Sequence, residues 1–160
     1  MISEIILKMI GYFNSDVKRI SHALKVYGYI KAISAGENLL PDQLSIVELA
    51  AILHDIGIKE AKRKYNSSSG KYQEIEGPDI ARDLMSEIVN PDLIDRVCYI
   101  IGNHHSYNKI DGLDFQILVE ADFLVNIDEN NLPIETIKNI GLKYFKTKTG
   151  LNLLESIFNI

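Results

Sequence analysis

The stretch AAILHDIGIKEA, Ala50 to Ala61, sets a histidine beside an aspartate where an apolar helical run reaches a glycine. Neighbouring helical residues point about 100° apart, so His54 and Asp55 can share one target only where the backbone unwinds. Gly57 is placed to end the helix there. An unpaired carboxylate is costly to bury, and a bound cation removes that cost while holding the imidazole neutral. The plainer alternative is that His54 caps the helix C-terminus and Asp55 turns to solvent.

Outward from this stretch the hydrophobic spacing is helical almost throughout. Ile2, Ile5, Ile6, Met9 and Ile10 share one face, and Val17, Ile20, Leu24, Tyr27 and Ile30 share another, with Ser15 or Asp16 as N-cap. Pro41 opens a third helix running to His54. Residues 62–77, with NSSSG at their centre, have no period and read as a surface loop, of which Lys62 to Ser69 lie near enough to the HD pair to lid it. Pro78 and Pro91 mark the starts of helices over Asp79–Val89 and Asp92–His105. KIDGLD is a turn, FQILVEADFLVNI a strongly apolar helix, and Pro133 opens the C-terminal helices, 133–158. The expectation is an all-α, single compact helical domain over residues 1–160, with its motif core at about 16–126.

The net charge of −5 and the scattered lysines argue against a nucleic-acid polymer as partner. The short, charge-interrupted apolar runs suit neither a membrane span nor a signal peptide, and the lone Cys98 fits a reducing compartment, so a cytoplasmic protein is expected. The tyrosines, Tyr107 and Tyr144 among them, are scattered and read as core and rim side chains, not stacking platforms.

Two further polar residues stand where burial is expected. His22 lies beside Ala23 and Val26, and Asp122 lies between Ala121 and Phe123. Together with His54 and Asp55 they make a mixed nitrogen and oxygen shell, suited to a borderline divalent ion such as Mn, Fe, Co, Ni or Zn. Arg19 is one turn before His22 on the same helical face and is a candidate phosphate contact.

In this order on successive helices, His22, the His54–Asp55 pair and Asp122 resemble the H…HD…D pattern of the HD-domain superfamily of metal-dependent phosphohydrolases. The resemblance implies an all-α fold, a metal held by His22, His54, Asp55 and Asp122, and hydrolysis of a phosphate ester, often of a nucleotide. It implies a divalent cofactor (Mn, Fe, Co, Ni, Zn or Mg), one ion preferred and two open. Lys59 is similar to the lysine of HDxGK stretches in this superfamily, shifted here by one residue to HDIGIK, and is a candidate for substrate binding. Related proteins with two metals often carry a histidine before the glycine where this chain has Glu76 before Gly77, and a second histidine matched here by His104. One expectation is a second site of Glu76 and His104 bridged by Asp55. The other is one metal, with Glu74 or Glu76 as general acid or base and His104 binding substrate or protonating the leaving group. His105 is given no role.

The leading expectation is therefore a phosphohydrolase acting on a small phosphate ester or nucleotide, with water activated by the ion attacking phosphorus. A di-iron oxygenase and a non-catalytic nucleotide sensor are the alternatives. The amphipathic N-terminal helix is also a surface on which a homodimer could form.

Overall fold

The computed structural model describes all 160 residues and contains helices but no strands. The helices are α1 (Ile2–Phe13), α2 (Val17–Gly36), α3 (Pro41–Leu53), α4 (Ile58–Tyr65), α5 (Gly70–Met85), α6 (Pro91–Ile101), α7 (Leu113–Glu129), α8 (Ile134–Tyr144) and α9 (Lys148–Phe158), with a 3-10 turn at Tyr107–Lys109. None is long and apolar enough to cross a membrane.

The centre is α3. From Ile46 to Leu53 every residue is buried, because α3 meets α1, α2, α6 and α7 on different sides. A helix surrounded in this way is buried all round, as α7 also is over Ile117 to Ala121, and each stretch encloses one glutamate, Glu48 and Glu120. Helix α2 packs on both α3 and α7, α5 joins α4 to α6, and α8 and α9 close over α7. The helix starts follow local chemistry. Asp16 Oδ1 accepts from the Arg19 backbone N–H at 3.2 Å, Asn90 Oδ1 accepts from that of Asp92 at 3.0 Å, and Pro41 and Pro91 occupy first-turn positions.

Three sequence expectations need correction. Residues 62–77 are not a surface loop: α4 continues to Tyr65 and α5 begins at Gly70, leaving a short connection at 66–69 that starts from the left-handed Asn66. The period there is concealed because α5 buries Gln73, Gly77, Ala81 and Met85, four residues apart, and the first two are not hydrophobic. Pro78 therefore lies inside α5 and does not open it. Helix α6 stops at Ile101, short of His105, with the Asn103 amide donating to the Tyr99 carbonyl at 2.7 Å across its end. His104 thus stands on a turn.

Gly57 also differs from its expected role. Its φ of −72° is ordinary, so it ends no helix through left-handed geometry. A Cβ there would lie 2.6 Å from the Gln73 carbonyl and 2.7 Å from the Gly77 amide nitrogen, so Gly57 is needed for the contact between the two backbones. That contact holds α5 across the turn after α3.

At the C-terminal end, the fully buried Glu120 of α7 accepts from the backbone N–H groups of Lys146 at 2.6 Å and Thr147 at 2.9 Å, from the Thr147 hydroxyl at 2.5 Å and from the Gln116 amide at 2.7 Å. These bonds tie the segment leading into α9 to the middle of α7.

The two glycine environments predict opposite effects. Gly57→Ala should lower stability by about 1–3 kcal/mol through overpacking. Gly28→Ala, in an exposed part of α2 with nothing within 4 Å of the new Cβ, should raise it by about 0.5–1 kcal/mol. Denaturant unfolding of both variants measures the pair, and equal shifts would contradict the close-approach account.

Candidate metal centre

The residues that the chain sets on α2, on the turn after α3 and on α7 meet in the interior. His22 Nε2 lies 3.2 Å from His54 Nε2 and 3.1 Å from Asp122 Oδ1. Asp55 Oδ2 is 3.6 Å from His22 Nε2 and 3.7 Å from His54 Nε2, and Asp122 Oδ1 is 3.5 Å from the latter.

The outer nitrogens decide which atoms face inward. His54 Nδ1 is 2.8 Å from the Ala51 carbonyl oxygen, which can only accept, so Nδ1 carries a proton. His22 Nδ1 is 3.0 Å from Glu129 Oε2, a carboxylate that Lys25 also approaches at 3.4 Å. Each neutral imidazole therefore turns its Nε2 lone pair toward the other ring. Two lone pairs at that separation, flanked by two carboxylates, repel unless positive charge lies among them. The donor set fits a divalent cation of borderline type, and hydrogen-bonded outer nitrogens are the arrangement that orients histidine ligands.

Without a cation, a proton is the positive charge that the surroundings favour there. Burial opposes the charged form of His54, but Asp55 and Asp122 overcome it and bring its pKa up to about 9. For His22, burial also opposes charge and Asp122 and Asp55 raise the pKa. Burial would raise both carboxyls, yet the adjacent histidines hold Asp55 and Asp122 well below the usual carboxylate range.

A second group adjoins the first. His104 Nδ1 donates to the Ile101 carbonyl at 2.7 Å, and its buried Nε2 has no hydrogen-bond partner and faces Asp55 Oδ1 at 3.6 Å. His105 completes a potential cation-binding group with Asp55 and His104. Gln73 donates its amide to the Ser68 carbonyl at 2.7 Å and so offers its oxygen to His105 Nε2 at 3.3 Å, leaving His105 Nδ1 as the acceptor. Burial and the neighbouring His104 push the His105 pKa down to about 4, which keeps this ring neutral. Asp55 therefore directs one oxygen at each group.

The other sequence candidates divide. Arg19 reaches the cluster, its Nη1 3.8 Å from Asp55 Oδ2, while Asp16 engages only its backbone. Glu74 accepts from the His105 N–H at 3.0 Å and from the Ser106 hydroxyl at 3.0 Å, so it supports the turn bearing His104. Glu76 belongs to neither group: Lys64 at 2.7 Å and Tyr65 at 2.9 Å hold its carboxylate against α4. Lys59 is also turned elsewhere, donating to the Tyr12 carbonyl at 2.9 Å and covering that ring.

Three participants escaped the sequence reading. Asn126 donates to Asp122 Oδ1 at 2.9 Å, and Glu129 holds His22. Positions 122, 126 and 129 follow helical spacing, so a polar stripe on an apolar helix was the available signal. His105 gave no comparable signal, because its position depends on Gly70, where a Cβ would lie 2.6 Å from the imidazole.

A family model described as HD domain matches residues 19–137, most of the chain and all four residues of the first cluster. No curated protein and no solved structure gives a significant match.

The shifted histidines predict how metal-free stability depends on pH. The His54 contribution is fully present below its unfolded value of about 6.5 and is lost as pH rises through about 9. The carboxylate contribution persists above the unfolded value of 3.8 and is lost only at more acid pH. Chelator-treated protein should therefore lose stability, on the order of a few kcal/mol, from pH 6.5 to 9. An added divalent cation should reduce that loss. Thermal unfolding across this range checks it, and a flat metal-free profile would contradict the charge arrangement.

Proposed function

The chain belongs to the HD-domain family, and from that premise we propose that it is a metal-dependent phosphohydrolase cleaving a small phosphate ester or nucleotide. The observation carrying this reading is the 3.2 Å approach of His22 Nε2 to His54 Nε2, two lone-pair nitrogens set among carboxylate oxygens. His22, His54, Asp55 and Asp122 would hold the divalent cation. When bound, such a cation lowers the pKa of water and polarises a phosphoryl oxygen.

The remaining work falls to the chain. Arg19, at the open N-terminal end of α2, meets the substrate phosphate, since a guanidinium fork matches two phosphoryl oxygens. His104 has its Nδ1 proton committed to a carbonyl and its Nε2 unpartnered, so Nε2 is the atom that takes up a proton from solvent and passes it to the leaving oxygen. Glu74 acts as a positioning residue, because both of its contacts to the turn fix where His104 stands.

A two-cation form has its own support in Asp55, whose Oδ1 is 3.6 Å from His104 Nε2 and whose Oδ2 is 3.6 Å from His22 Nε2. His105, not Glu76, is the further ligand in that form. With iron in both groups the same arrangement serves the oxygenase reading, in which dioxygen is consumed.

Phosphate release by chelator-stripped protein, with each divalent cation restored in turn, tests the reading. Turnover should require the cation and fall by about a hundredfold or more in Asp55→Ala. Arg19→Ala should lower kcat/KM by roughly 10²-fold, with Arg19→Lys restoring only part of it. Cation binding without turnover would favour the sensor, and iron-dependent oxygen consumption would favour the oxygenase.

A further inference from the structure

A cleft of about 580 Å³ lies between the turn after His104 and the end of α8, walled by Tyr107, Ile110, Gln116, Lys143, Tyr144 and Lys146. The last three lie beyond residues 19–137, so the family pattern does not account for them.

Its aromatic wall is built and braced. The Tyr107 ring lies 4.7 Å from that of Tyr144 and 5.3 Å from that of Phe123, while Phe123 and Tyr144 stack at 5.0 Å with their planes 20° apart. The Gln116 amide donates to the Tyr144 carbonyl at 2.7 Å and so fixes the backbone behind the ring.

Its charge is uncompensated. Lys143 and Lys146 are both exposed. Lys143 Nζ stands 5.1 Å from the Tyr144 ring centroid and on no carboxylate, and Lys146 touches Glu120 only through its backbone N–H. Two free ammonium groups on one cleft are notable in a chain of net charge −5. The exposed side chain of Asn108, at the rim, has both an acceptor and donors to offer.

One wall of the cleft is linked through the chain to the histidine–aspartate cluster. Tyr107 follows the turn that carries His104 and His105, and its ring packs on Phe123, the residue after Asp122.

We propose that this cleft binds a nucleotide, with the base stacked on the face of Tyr144 away from Phe123, the Tyr107 ring tilted at 57° beside it, Asn108 at the base edge, and a phosphate other than the scissile one between Lys143 and Lys146. A π face accepts any base, and ammonium groups at its margin select bases that carry phosphate. Tyr144 thereby serves the cleft as well as the rim packing that the sequence reading assigns to it. That the bound nucleotide is also the substrate rests on the phosphohydrolase reading, whereas its binding does not.

The test is calorimetric titration of the chelator-treated full chain with ADP, GDP, adenosine and inorganic pyrophosphate. Either nucleotide should bind at least about tenfold more tightly than adenosine or pyrophosphate, since each of those lacks half of the match. The double variant Lys143→Glu, Lys146→Glu should weaken nucleotide binding about tenfold or more, with cation uptake by the histidine cluster unchanged. Tyr144→Ala should weaken it similarly and Tyr144→Phe should not, because the ring is what stacks. Pyrophosphate binding as tightly as ADP, or unchanged affinity in the lysine variant, overturns the proposal. If a nucleotide is hydrolysed, the lysine variant should raise KM while kcat stays within about twofold. If nucleotides bind but no cation supports turnover, the cleft stands and the phosphohydrolase reading falls.

Discussion

Two imidazole nitrogens, both with lone pairs, face each other at 3.2 Å inside an apolar core, and most of the surrounding structure holds them there. Left alone, the pair would swing apart or rotate. The Ala51 carbonyl holds one ring and Glu129 holds the other. The carboxylates of Asp122 and Asp55 then make the enclosed space attractive to positive charge and to little else. Such an arrangement is unfavourable when empty of charge and favourable when charged, which couples folding to whatever cation occupies it.

That coupling explains why α3 is so thoroughly enclosed. A helix ending in His54 and Asp55 brings two polar groups to the centre of the molecule, and the eight buried residues before them, Ile46 to Leu53, leave it almost no freedom to move. The close approach of Gly57 to Gly77 then fixes the turn that aims Asp55, while Glu74 fixes the turn that aims His104. Rigid helices carry the first group, and a braced turn adds the second.

How much of this was legible in the sequence depended on contrast. His22 and Asp122 stand among aliphatic neighbours, so the cost of burying them without a partner made them visible, and the all-helical fold followed from long runs of unambiguous period. The start of α5 was not visible, because its inward face is built from Gln73 and Gly77, residues that carry no hydrophobic signal. His105 was missed because a histidine on a turn takes its direction from what packs behind it. Lys59 and Glu76 show the converse: nearness in sequence to the HD pair says nothing about direction once a helix has begun, and both side chains lie against neighbours on other elements.

Glu120 gives the molecule an order of assembly. Two residues before Asp122, it is completely buried, and three of its four hydrogen bonds come from Lys146 and Thr147. A nascent chain that has emerged only as far as α7 carries all four residues of the first histidine–aspartate cluster and a carboxylate with most of its partners still unmade. Burying that carboxylate early would cost several kcal/mol, so α7 cannot settle fully into the core until the segment leading into α9 has left the ribosome. The segment leading into α9 thus acts as a latch, and the interior that carries the histidine–aspartate cluster closes only once that segment has docked.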